Sequence, residues 1–169
     1  MSEKAPVVEN LSLSYSGLFN AKELYSTINS WFKEKGYDRR EIKNEEHVYP
    51  QGKFIDIELQ PYKKVSDYAK IVIRIQLTMK DVKDVDIEKE KHKLRLNQGR
   101  VDFTFDSYLE TDYESRWEQT PFYFLLRTIY DKFIYRSYTR RFEEKASSDL
   151  KELYEEIKSF LNMARFTTR

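Results

Sequence analysis

Cysteine is absent from the 169 residues. That removes disulfides, thiol nucleophiles and cysteine-ligated zinc or iron–sulfur centres, and it fits a reducing compartment. Histidine is nearly absent. His47 and His92 lie on different expected elements without helical ligand spacing. Solvated or locally bonded imidazoles therefore outweigh a metal site completed by Glu45 or Glu46. The four glycines, Gly17, Gly36, Gly52 and Gly99, never cluster, so phosphate-cradling loops of the P-loop or dinucleotide type are missing. A G-x-S-x-G elbow is missing too. The start, MSEKAPVVEN, lacks the apolar centre of a secretory signal. No run of about eighteen apolar residues offers a membrane span. A cytoplasmic protein without a cofactor is the expectation.

What is present is an unusual pairing: 35% charged residues with 15% aromatic ones. Disordered chains lack such aromatics, so a folded domain with a charged skin is expected. Its 30 basic and 29 acidic side chains nearly cancel. Global charge thus favours neither nucleic acid nor an acidic partner, although a local patch can hide within that balance. The length suits one domain, 1–169, burying about 70% of its unfolded surface. Residues 1–9 are expected to be flexible.

Alternation of Leu11, Leu13 and Tyr15 with serines predicts a half-buried strand ending at Gly17. Asn20 and Glu23 form a capping-box pattern, and Leu24, Ile28 and Trp31 recur at helical spacing. A helix over roughly 21–35 follows, stopped by Gly36. Strands are expected at 40–49, weakly, at 55–59 before Pro61, and at 71–79, the clearest of all. The charged stretch 80–93 reads as an edge or loop. Leu94–Leu96 and Val101–Phe105 then read as a hairpin turning at residues 97–100. Inner-face Ile, Leu and Phe oppose outer-face charges, so the sheet is mainly antiparallel with one dry face.

Two helical segments remain to cover that face. One is the helix at 21–35. The other is a C-terminal region, 117–166, in which Phe142, Ala146, Leu150, Leu153, Ile157 and Leu161 step by three or four. The expected class is α+β, an antiparallel sheet of about six strands with an N-terminal helix and a long C-terminal helical region on one face.

This order resembles the helix-grip fold of the START, Bet v 1 and polyketide-cyclase-like superfamily. The resemblance rests on SLSYSG, the helix AKELYSTINSWFKEK, the strands through RVDFTFDSYL, and the helical stretch from Pro121 onward. It implies an apolar ligand held between sheet and long helix, although some members of such folds are enzymes or protein partners. Trp31, Phe103, Phe105, Phe122, Leu126, Ile129 and Phe133 would line that cavity. The alternative is an interaction module. Arg136, Tyr138, Arg140 and Arg141 belong to a basic-aromatic stretch, 127–141, suited to RNA or a protein partner. Asp102, Asp106, Glu110 and Asp112 alternate along one strand as paired acid–base groups would, but on the outer face solvation is the better reading. An enzyme of the cyclase type comes last, because no acid–base group is nominated inside the apolar region.

Overall fold

The computed structural model describes residues 3–89, 92–111 and 135–166. The chain runs β1 (Glu3–Phe19), α1 (Ala21–Glu34), β2 (Glu41–Tyr49), β3 (Gly52–Leu59), β4 (Tyr62–Lys64), β5 (Ala69–Lys89), β6 (His92–Thr111) and α2 (Tyr135–Phe166). The six strands form one antiparallel sheet in the order β1-β6-β5-β3-β2, with the short β4 beside β5. Sheet and helices have the α+β layout that the alternation predicts.

Alternation sets the dry face. Ile71, Ile73, Ile75, Leu77 and Met79 of β5 and Val101, Phe103, Phe105 and Leu109 of β6 are buried. They form one cluster with Leu24, Ile28, Trp31 and Phe32 of α1 and with Ala146, Leu150, Leu153, Ile157 and Leu161 of α2. The 3.6-residue stripe on α2 is therefore the face it buries. α2 lies against β1, β6, β5 and α1. The opposite face carries a lattice of charges. Arg74 Nε reaches Glu58 at 2.9 Å and Arg74 also reaches Asp106 at 3.7 Å, while Lys70 reaches Glu110 at 3.3 Å.

Two expectations are corrected. The turn expected at 97–100 is not a turn: β6 is continuous there, and β5 runs on through the charged stretch to pair Lys89 with His92. The signal that misleads is a change of phase. Between Lys80 and Lys83 the register slips, with Asp81 at φ 53°. Beyond this bulge the apolar residues fall out of step with those before it. Val85 then faces Leu96 and Ile87 faces Leu94, so the arm is held by its own cross-strand pairs. The second correction concerns residues 1–9. From Glu3 they are the start of β1, paired with Thr111 through Ser107. Asn10, at φ 55°, lies within a register slip, where its N–H donates to Asp106 Oδ1 at 2.8 Å. The slip interrupts the alternation that made only 11–16 look like strand.

The bulge also explains two glycines. A Cβ on Gly99 would stand 2.8 Å from the Lys80 carbonyl oxygen, and one on Gly52 would stand 2.8 Å from the Asp81 carbonyl carbon. The bulged segment of β5 is squeezed between neighbouring strands that can approach only because side chains are missing there.

Candidate functional site

The site grows from the way α1 ends. Asn20 caps its start, its Oδ1 accepting from Glu23 N at 3.1 Å. At the other end Gly36 adopts φ 73°, Gly36 N donates to the Lys33 carbonyl, and Tyr37 N donates to the Phe32 carbonyl at 2.9 Å. This is the double hydrogen bond of a Schellman turn, and its usual hydrophobic contact is present. The Phe32 and Tyr37 rings meet edge to face at 5.6 Å. From there the chain runs back to the sheet. Asp38 exchanges two backbone bonds with Tyr62, and Gln60 N donates to the Arg40 carbonyl at 2.7 Å.

The turn leaves a groove of about 510 Å³, lined by Asn29, Phe32, Lys33, Gly36, Tyr37, Asp38, Arg39, Arg40, Leu59 and Pro61. Its floor is apolar: Phe32, Tyr37 and Leu59 are buried. Its rim is basic. Arg39 is engaged, its guanidinium donating to Glu41 at 2.8 Å and to the Tyr25 hydroxyl at 2.6 Å, while Tyr25 donates to Glu41. The bonds from Tyr25 and Arg39 hold the Glu41 carboxyl below the usual carboxylate range. The exposed Lys33 and Arg40 make no ion pair among the described residues. Lys63 Nζ donates to the Lys35 carbonyl at the helix end and lies 5.7 Å from the Tyr37 ring centre. It offsets the partial negative charge that the α1 C-terminus would otherwise bring to the groove.

Tyr37 is fixed from below. Its hydroxyl donates to Asp149 Oδ2 of α2 at 2.9 Å, and Lys145 reaches the other carboxylate oxygen at 3.4 Å. Burial first, then the Asp149 charge and hydrogen bond, push the Tyr37 hydroxyl far above its ordinary pKa. It stays a neutral donor at any physiological pH.

A second groove, about 530 Å³, lies between α1 and α2, where Trp31 and Phe160 meet Glu23, Glu34, Glu152 and Glu156. Lys35 crosses it to pair with Glu152.

The residues expected to line a cavity are dispersed. Trp31 borders the inter-helix groove, 6% exposed. Phe103 and Phe105 are packed inside the sheet–helix interface, stacked on each other at 5.4 Å, with Phe105 against Tyr154 at 5.8 Å. Neither borders the two grooves. Phe122, Leu126, Ile129 and Phe133 lie outside the described residues. Of the basic-aromatic set, Arg140 and Arg141 are exposed on α2, with Arg140 paired to Glu144 at 3.3 Å. Arg136 and Tyr138 fall on its first turn. The alternating carboxylates lie on the wet face in ion pairs: Asp102 with Arg100 and Lys80, Asp106 with Arg74, Glu110 with Lys70. Asp112 is outside the described residues. His47 stands 3.6 Å from Glu45, and no group of three metal-ligating side chains occurs among the described residues.

The groove below α1 was missed because its residues look like punctuation. The one available signal was GYDRR: an aromatic and two arginines directly after a helix-stopping glycine. No helix among the described residues is long and apolar enough to cross a membrane. In sequence, the chain matches no family model and no curated protein.

Proposed function

We propose that this is a non-enzymatic binding protein for a small amphipathic anion. The ligand's apolar body would lie on Phe32, Tyr37, Leu59 and Pro61, and its charged group would meet Lys33 and Arg40. One observation carries this reading: an apolar floor of suitable volume beside two cations without ion-pair partners among the described residues. Small-ligand sites occupy about 300–1,000 Å³ and combine apolar lining with a few fixed polar groups. Tyr37, locked by Asp149, and Arg39, locked by Glu41, are already held in place, so binding need not order them.

The helix-grip resemblance belongs to the same proposal. An antiparallel sheet with an N-terminal and a C-terminal helix on one face supports it. Phe103 and Phe105 occupy the space between that sheet and α2, which moves the ligand to the end of α1. An RNA or protein partner on 127–141 has weaker support, because Arg140 already spends its charge on Glu144.

The test is a fluorescence titration with 1-anilinonaphthalene-8-sulfonate, an aromatic anion, on protein whose near-ultraviolet circular dichroism shows fixed packing. Saturable one-site binding is expected, weakened about tenfold by Arg40→Glu and by Lys33→Glu, as for loss of a charge-assisted contact. Equal affinity in wild type and both variants would reject the groove.

A further inference from the structure

β2 ends the sheet: it pairs with β3 on one side and with no other strand among the described residues. Nearly all of it is exposed, Val48 at 73% and Ile42 at 46%. From Lys43 to Tyr49 it has no proline, no glycine and no register slip. Natural edges are normally blunted by such devices, and a straight open edge is a template for another strand.

The strand's own geometry limits what it can accept. Tyr49 and Gly52 flank the two-residue turn Pro50–Gln51, so they form the hydrogen-bonded pair that closes the hairpin. Counting back, Glu45 and His47 turn their backbone groups toward β3, while Asn44, Glu46 and Val48 turn theirs outward. A second β2 can pair antiparallel only by matching outward residues with outward residues. A two-fold axis must then pass through a residue position.

Three such registers put the axis near the middle of β2, at Asn44, Glu45 or Glu46. An axis at Glu45 sets Glu45 against Glu45, and an axis at Glu46 sets Glu46 against Glu46. An axis at Asn44 sets Lys43 across from Glu45 twice, with no like charges opposed, and the regular ladder stops at the register slip beyond Lys43. Opposite charges across a strand pair stabilise it and like charges destabilise it. The charges that would repel a foreign strand are thus complementary to their own copy.

We propose that two copies of this chain associate through β2, antiparallel about Asn44, to make one continuous sheet. Lys43 and Glu45 of each copy alternate across the axis, extending the Lys43 contacts already made to Glu45 at 3.2 Å and Asp56 at 2.8 Å. The interface does not use the groove below α1.

Sedimentation velocity across a dilution series, at low and high salt, tests this. A dimer is expected that weakens with salt. Asn44→Pro removes only an outward N–H and should give a monomer with unchanged circular dichroism. Lys43→Glu should weaken the dimer about tenfold by placing like charges across the axis. The double variant Lys43→Glu/Glu45→Lys should restore it, which keeps the test sharp if Asn44→Pro fails to fold. A wild type that stays monomeric at about 100 µM, a concentration at which even weak specific contacts form, would overturn the proposal. A dimer indifferent to both Asn44→Pro and Lys43→Glu would overturn it as well.

Discussion

The Tyr37 hydroxyl donates to the Asp149 carboxylate at 2.9 Å across 112 residues of chain, with both side chains buried. This bond ties the exit of α1 to the middle of α2. Removing the donor leaves a buried carboxylate whose remaining side-chain partner among the described residues is Lys145, at 3.4 Å. Tyr37→Phe should therefore destabilise the fold by about 1–3 kcal/mol, measured by urea unfolding. Tyr37→Phe/Asp149→Leu should recover part of that loss, since an apolar pair leaves nothing unsatisfied. A double variant worse than the sum of the single ones would contradict this account.

The same bond sets an alkaline limit. The Tyr37 pKa is raised by burial and by Asp149, so its contribution is fully present below the ordinary tyrosine value near about 10. It is lost as pH rises toward the folded-state value. Stability should decline above about pH 10 in wild type and decline less in Tyr37→Phe. Parallel pH profiles would sink the assignment.

At low pH the wet face responds. Burial pushes the Glu58 carboxyl up, but bonds from Arg74 and Gln60 outweigh it and leave the pKa lowered. Asp102 is lowered in the same way, with Ser14 and Arg100 outweighing burial. A lowered carboxyl stabilises the fold above its unfolded value, and that share is lost as pH falls through the folded one. Unfolding midpoints should drop below about pH 4, less steeply in Glu58→Gln, as followed by urea titrations at stepped pH.

Core and backbone substitutions should separate cleanly. Phe105→Ala removes a fully buried ring stacked on Phe103 and should lower stability by about 3–5 kcal/mol.

Gly52→Ala drives a Cβ against the Asp81 backbone at 2.8 Å with φ 147°, whereas Gly36→Ala meets, among the described residues, Lys63 Nζ at 3.7 Å with φ 73°. The first should lose about 2–3 kcal/mol and the second about 1–2, the intrinsic left-handed penalty. Equal losses by thermal or urea unfolding would show that the squeeze on the bulge is relieved elsewhere.

By itself the sequence determined the elements whose signals are local. Asn20, the stripe Leu24–Ile28–Trp31 and Gly36 specify α1, because capping and helical periodicity act within a few residues. Period-two alternation specified β3, the first half of β5 and the wet and dry faces, and the stripe from Ala146 to Leu161 specified the buried face of α2. Only the tertiary structure decided what depends on partners distant in the chain. The slip at Asp81 is legible only when β6 lies alongside β5, so a continuous strand passed for a turn at 97–100. Phe103 and Phe105 would serve equally as cavity wall or filled core, and the separation of sheet and α2 made them core. The groove below α1 exists because Leu59 and Pro61 come to lie beneath Phe32 and Tyr37. That meeting is held by backbone bonds of Asp38 with Tyr62 and of Gln60 with Arg40, partners distant in the chain that no short stretch of sequence records.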